Sequence, residues 1–315
     1  MKRLLDRALT TSSLYLSASF LLLFQITLVI TGGLVRLTGS GLGCPEWPKC
    51  TEESFRPVEV DSRFHAFIEF GNRMLTFALL ASALTTFLLV RRYVKIIDQK
   101  RSDLNLLALL QVLGILGQGV LGGITVLTKL HPLSVASHLL LSMLLIAGAA
   151  TLQFKLNLIK HDRELEKLAD LPLAKVLAVM AFATLIAGTI VTGTGPHAGD
   201  IDAPRFGFSL YFVTRIHSAL VALTLLTTLY MAWRYPRSEF KWLLAVIFGQ
   251  GFIGYLQWHL GLPEALVGLH LLGSALFWLA IWRVRLSFKY QAIRAIRTNQ
   301  TNRNHREVNA EWQLK

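Results

Sequence analysis

The stretch Gly117-Gln118-Gly119-Val120-Leu121-Gly122 recurs 132 residues later as Gly249-Gln250-Gly251-Phe252-Ile253-Gly254. At the same offset His138-Leu139-Leu140 falls on His270-Leu271-Leu272, and Ser142 falls on Ser274. A fainter echo relates Leu37-Thr38-Gly39-Ser40-Gly41 to Val191-Thr192-Gly193-Thr194-Gly195. The chain therefore carries an internal duplication, and the size of the repeated unit decides the fold. The glycines read first as packing notches: Gly114, Gly117, Gly119, Gly122 and Gly123 on one segment, and Gly249, Gly251 and Gly254 on its repeat, allow helices to approach closely.

Both copies lie inside long uncharged blocks. These run from Leu14 to Leu37, Phe64 to Val90, Asn105 to Leu127, Leu133 to Phe154, Ala174 to Gly193, Leu210 to Trp233, Trp242 to Gly261 and Ala265 to Val284. Each is near the roughly 20 apolar residues that one helical bilayer crossing needs. With 53% hydrophobic and only 16% charged residues in 315, a water-soluble enzyme is excluded. The first block follows Met1-Lys2-Arg3 but is too long for a signal-peptide core and lacks a small-residue cleavage site, so it is read as a helix. A repeat of four crossings returns the chain to its starting side, which makes the two halves parallel rather than inverted. The expected fold is an all-α integral membrane protein with eight transmembrane helices in two parallel, pseudo-symmetric four-helix bundles. Residues 1–155 form the first bundle, 156–173 a cytoplasmic linker, 174–284 the second bundle and 285–315 a basic tail without fixed structure.

The net charge of +13 is informative through its distribution. The N-terminus, the loops at 91–104, 155–173 and 234–241, and the tail from Arg283 hold 23 Lys and Arg residues, against five in the remaining loops. Both termini are therefore expected in the cytoplasm of a multi-pass cell-membrane protein, and the charge is read as orientation rather than as nucleic-acid binding. The loop from Thr38 to Arg63 then lies outside. It holds both cysteines, Cys44 and Cys50, which are either one bridge or two spare thiols; an oxidising exterior favours the bridge.

Polar groups inside the crossings are costly and need a partner or a task. They are Arg36, His65, Glu69, Asn72, Arg73, His138, Arg215, His217, His259 and His270. His138 and His270 each lie six residues into their blocks and His217 eight residues into its own, all at similar depth in the outer half. A lone intramembrane histidine is ordinarily a satisfied hydrogen-bonding residue; three at matched depth on repeated helices point to metal ligation. Imidazoles from opposite helices of a four-helix bundle hold heme iron through two axial nitrogens. His217 and His270 make such a pair in the second half. In the first half His138 needs a partner from the second block. The repeat equivalent of His217 is near Asn72, a poor ligand, so His65, the only imidazole on that block, is taken as the substitute. Glu69 either pairs with Arg73 at i+4 or acts as a proton acceptor and cation stabiliser beside a heme edge. Arg36, Arg73 and Arg215 are candidates to grip heme propionates. His259 and His131 at helix ends, and His161, His197 and His305 in loops, receive no function.

These residues resemble a known family. Gly32-Gly33-Leu34-Val35-Arg36-Leu37-Thr38-Gly39-Ser40-Gly41-Leu42-Gly43-Cys44-Pro45-Glu46-Trp47-Pro48-Lys49-Cys50 resembles the first-helix and first-loop signature of the heme A synthases. Ile68-Glu69-Phe70-Gly71-Asn72-Arg73, Ser137-His138-Leu139-Leu140, Arg215-Ile216-His217-Ser218 and Leu269-His270-Leu271-Leu272 resemble their motifs on helices two, four, six and eight. The resemblance implies oxidation of the C8 methyl of heme O to the formyl group of heme A, for terminal oxidases of the cytochrome aa3 kind. It implies that His138 ligates the substrate heme, that His217 and His270 ligate a heme b, that Glu69 is the catalytic carboxylate and that Cys44 and Cys50 form a disulfide. The partners it implies are a heme O synthase, cytochrome c oxidase assembly factors and a membrane electron acceptor such as quinone; a homo-oligomer stays open. Two departures stand out. Many members carry histidine where this chain has Asn72, and many have a second cysteine pair in the loop that here runs from Thr194 to Ser209 without cysteine. The rival readings are a di-heme electron carrier, which would give Glu69 no task beyond Arg73, and a transporter, against which the parallel halves and matched histidines speak.

Overall fold

The computed structural model describes residues 2–57, 63–96, 102–161, 163–167 and 171–294. Among the described residues eight helices follow one another: α1 Lys2–Leu37, α2 Arg63–Ile96, α3 Ser102–Leu127, α4 Pro132–Lys160, α5 Pro172–Thr194, α6 Leu210–Arg234, α7 Glu239–His259 and α8 Glu264–Lys289. Every apolar block of the sequence corresponds to one of them. Seven are long and apolar enough to cross a bilayer; α7, interrupted by Gln250 and Gln257, falls below that threshold. The outward faces carry Phe20, Leu23, Phe77, Val179, Trp233 and Phe252 exposed, the inverse of a water-soluble surface. This is a multi-pass membrane protein.

The architecture differs from a purely helical one at one place. A five-residue strand, β1 Arg163–Lys167, pairs antiparallel with β2 Tyr290–Arg294, from Arg163 opposite Arg294 to Lys167 opposite Tyr290. The segment from 285, expected as an unstructured tail, thus first continues α8 to Lys289 and then ties back to the 156–173 linker. Residues 295–315 of the tail lie outside the described residues.

Helices α1 to α4 pack in sequence, and α4 also packs on α1; α5 to α8 pack in sequence, and α8 returns to α5. Contacts of α4 with α5 and α8, and of α1 with α8, join the two sets. At that seam Met143, Ile146, Leu177, Ala181, Ala275 and Ile281 are almost wholly buried. Polar atoms there are satisfied across helices: Trp278 donates Nε1–H to the Met143 carbonyl at 2.7 Å, and Trp282 to Thr151 Oγ1 at 2.8 Å. Lys155, 7% exposed, pairs with Asp103 at 2.6 Å between α4 and the start of α3.

The loops after α1, α3, α5 and α7 meet at one end. Gly41 N donates to the Gly199 carbonyl at 2.9 Å, Leu130 packs with Ala198 and Ala203, and a His197 ring nitrogen lies 2.8 Å from the Leu262 carbonyl. Arg36, from the last turn of α1, reaches this junction, donating to the His197 carbonyl and, at 2.7 Å, to the Thr192 carbonyl. The β1–β2 ribbon follows α4 and α8 at the opposite end.

Candidate functional site

The first turns of α2 present His65, Glu69 and Asn72 on one face, because offsets of four and three residues bring successive side chains to the same side. Glu69 is 5% exposed. Its Oε1 accepts Arg73 Nε at 3.1 Å and Arg73 Nη2 at 2.5 Å, and its Oε2 accepts the Cys44 backbone N–H at 2.7 Å. The i+4 ion pair is therefore formed. The same guanidinium donates to the carbonyls of Cys44 at 2.9 Å, Glu46 at 3.1 Å and Lys49 at 3.0 Å. All five of its N–H groups are thus occupied by protein, and a propionate could reach Arg73 only by displacing a loop carbonyl.

What Arg73 and Glu69 hold is the first loop. Cys44 and Cys50 are joined in a disulfide, with Cα atoms 4.3 Å apart and neither residue exposed. Trp47 from the same loop lies against Gly123 of α3, where any Cβ would collide with the indole. Gly43 sits against the His65 backbone in the same way. The His65 ring, in the first turn of α2, has Nδ1 at 2.8 Å from Ser40 Oγ.

The three other candidate histidines share one local design. The Cε1 edge of His138 on α4 faces Gly122 on α3, that of His217 on α6 faces Gly188 on α5, and that of His270 on α8 faces Gly254 on α7. In each pair an added Cβ would stand 3.3 Å from the ring carbon. These glycines are notches for imidazole edges, more specific than the general helix packing read from the sequence. His217 and His270 converge from helices that both pack on α5 and α7, with ring centroids 6.4 Å apart and planes at 78°. Between them runs a cavity lined also by Thr184, Val221, Gln250 and Phe277.

His217 Nδ1 lies 3.1 Å from the Thr184 carbonyl, an acceptor, an arrangement that suits a ring donating from Nδ1 and presenting Nε2 to a metal. The Nδ1 atoms of His138 and His270 are buried and have no hydrogen-bond partner among the described residues. Gln118 Nε2 donates to the His138 carbonyl at 3.0 Å and to Ser142 Oγ at 2.7 Å, steadying that turn of α4.

With metal–nitrogen bonds of about 2 Å, and an imidazole radius slightly above 1 Å, two rings bound on opposite sides of one metal place their centroids about 6 Å apart. The observed 6.4 Å for His217 and His270 meets that requirement. Half-buried imidazoles on facing helices form the donor set that suits heme iron. Among the described residues no cluster of three or more His, Cys, Asp or Glu side chains suits a bare metal ion.

Arg215 lies on the exposed side of α6 with its guanidinium 4.8 Å from the Tyr211 ring centroid. Sequence reasoning missed Thr184 and the three notch glycines as neighbours of the histidines. Comparing Gly122 and His138 with Gly254 and His270 at the common offset of 132 carried that signal. It also missed the loop-holding tasks of Arg36 and Arg73.

Comparison with known proteins adds an independent line. The family of cytochrome oxidase assembly proteins designated COX15-CtaA matches residues 14–202. The chain is similar to the heme A synthase of Shewanella oneidensis, 29% identical over 176 residues, which are 50% of this chain and 51% of the relative. It is also similar to the heme A synthases of Geobacillus thermodenitrificans, 26% identical over 35% of this chain and 32% of the relative, and Geobacillus kaustophilus, 30% identical over 22% and 23%. The matched part spans about half the length of the first of these relatives and less of the other two.

Proposed function

Because this chain belongs to the COX15-CtaA family of cytochrome oxidase assembly proteins, we propose that it is a heme A synthase, oxidising the C8 methyl of heme O to the formyl group of heme A for an aa3-type oxidase. The observation that carries the heme reading is the 6.4 Å approach of His217 and His270 across their cavity, each ring edge seated in a glycine notch.

In this reading the helices form two parallel, pseudo-symmetric bundles in the cell membrane, 1–155 and 174–284, and α7 crosses as an eighth span. The meeting of the loops after α1, α3, α5 and α7 at one end supports that. Both termini face the cytoplasm, following the charge asymmetry. The second bundle holds heme b through His217 and His270, and the first holds heme O through His138. Bound heme b would supply a one-electron relay to a membrane acceptor such as quinone. Heme O synthase and oxidase assembly factors are the partners that deliver and receive the macrocycle.

Methyl to formyl requires removal of four electrons and four protons and entry of one water oxygen. Developing positive charge at the methyl carbon calls for a fixed anion in a dry site, and Glu69 is the buried carboxylate of this half among the described residues. Arg73 and the Cys44 amide hold it in one orientation, and Oε2 keeps a lone pair beyond the one that accepts Cys44 N–H, free to take a proton. Arg36 and Arg215 remain the candidates to meet propionates; Arg73 acts instead through Glu69.

Pyridine hemochrome analysis of membranes coexpressing this chain with a heme O synthase tests the proposal. Heme A is expected with the wild type, and heme O and heme b without heme A with Glu69→Gln. Unaltered heme O in the wild type, with normal redox cycling of both hemes, would identify a di-heme electron carrier instead.

A further inference from the structure

The turns after α3 and α7 are built alike, and both are strained. Each closes its helix with the same pair of backbone hydrogen bonds. After α3, Lys129 N donates to the Val126 carbonyl at 2.8 Å and Leu130 N to the Thr125 carbonyl at 2.8 Å; after α7, Gly261 N donates to the Trp258 carbonyl at 3.5 Å and Leu262 N to the Gln257 carbonyl at 2.7 Å. This is the Schellman pattern, whose first residue beyond the cap is left-handed and ordinarily glycine. Gly261, at φ 77°, follows that rule, and Lys129, at φ 51°, does not. In both turns the next residue is left-handed as well, Leu130 at φ 60° and Leu262 at φ 63°. A leucine crowds its own backbone in that conformation, which persists only where the surroundings hold it.

Two consecutive residues of the α5–α6 loop hold both turns. Leu130 packs on Ala198. Its neighbour His197 holds the other turn: Nε2 lies 2.8 Å from the Leu262 carbonyl, which can only accept, an arrangement that suits a ring donating from Nε2. Nδ1 of the same ring lies 4.0 Å from Glu264 Oε1 in the first turn of α8, and the His197 side chain is 20% exposed. The His197 carbonyl in turn accepts from Arg36 Nε at the end of α1. His197 is thus gripped through its backbone and reaches across to α8 with its ring.

These turns set where the ligand-bearing helices begin. α4 starts at Pro132 and α8 at Glu264, each two residues past its left-handed leucine, and His138 and His270 each stand eight residues past it. A change in the Leu262 turn therefore re-aims the first two turns of α8, and with them the imidazole whose edge is seated at Gly254. We infer that His197 is a positioning residue for the second-half heme: its ring clamps the strained Leu262 turn and so fixes the depth and direction with which His270 meets the iron. This rests on the reading above in which His217 and His270 ligate heme b.

The test follows transfer of the low-spin heme from purified, oxidised full-length protein in detergent to excess apomyoglobin, beside its electron paramagnetic resonance line shape. His197→Gln keeps an amide N–H near the position of Nε2, whereas His197→Asn, shorter by a methylene, does not reach the Leu262 carbonyl. His197→Asn should release the low-spin heme roughly fivefold faster, the worth of about one hydrogen bond, and broaden its signal, while His197→Gln should stay within about twofold of the wild type. Adding Leu262→Gly to His197→Asn should restore the wild-type rate, because glycine holds a left-handed turn unaided. Deuterium uptake by the first turn of α8 in heme-free protein should follow the same order, a readout that does not need the cofactor. Equal rates in wild type and His197→Asn, or a His197→Asn defect that neither His197→Gln avoids nor Leu262→Gly relieves, would overturn the inference and leave the heme reading intact. A wild type without a low-spin bis-imidazole heme would overturn that reading and the inference with it.

Discussion

Replacing Arg73 by Gln tests the clamp on the disulfide loop. Its guanidinium satisfies Glu69 twice and the carbonyls of Cys44, Glu46 and Lys49. The side chains of Arg73 and Glu69 are 19% and 7% exposed, so this is a largely desolvated pair. Removing one member of such a pair costs about 3–5 kcal/mol, mostly from the stranded charge. Partial solvation of Arg73 puts the loss near the lower figure. The cost falls on the loop, because Arg73 and Glu69 are its anchors and both cysteines are otherwise sealed from solvent. If reduction of Cys44–Cys50 proceeds through local opening, a loss of about 3 kcal/mol raises its rate roughly a hundredfold, at tenfold per 1.4 kcal/mol. The assay is a time course of thiol alkylation after addition of dithiothreitol to protein in detergent, read as a mass shift. Glu69→Gln, which keeps an acceptor for the Cys44 amide, should accelerate reduction less. A rate for Arg73→Gln within about threefold of wild type would refute the claim that this cation buries the bridge.

Three further outcomes follow from the same structure. Gly254→Leu should displace His270 and lower heme b occupancy, whereas Gly251→Leu, where a Cβ meets nothing within 4 Å, should leave it unchanged; the absorbance ratio of heme to protein checks both. Trp278→Phe removes the buried bond to the Met143 carbonyl and should cost about 1–2 kcal/mol, read as a lowered Tm in detergent with heme spectra unchanged. Asp103→Asn weakens the Lys155 pair at the α3–α4 contact, but with the Asp103 side chain 52% exposed the loss should be about 1 kcal/mol or less, a smaller fall in Tm than Trp278→Phe gives in the same melt.

The helices were legible because bilayer solvation leaves uncharged runs of sequence, and the duplication placed His138 and His270 at equal depth without any coordinates. The weak span was α7, where Gln250 lines the cavity beside His270 and so lowers the hydropathy of the helix that carries it. The β1–β2 ribbon had no signal: Arg163-Glu164-Leu165-Glu166-Lys167 holds one apolar residue, and its pairing is a backbone event. The backbone contacts of two arginines had no signal for a similar reason. A guanidinium within a span suggests an anionic ligand, and residue type does not show that Arg36 gives two of its N–H groups, and Arg73 three, to backbone carbonyls. The Glu69–Arg73 pair, by contrast, was readable from its i+4 spacing, and the Cys44–Cys50 bridge from two cysteines in one short loop.

The account stands on His217 and His270 sharing one iron. Electron paramagnetic resonance and absorbance spectra of the purified oxidised protein, compared with His217→Ala and His270→Ala, test this most directly. The wild type should show a low-spin bis-imidazole heme, and each single substitution should eliminate that same species. A low-spin heme that survives either substitution would contradict the shared site and the function built on it.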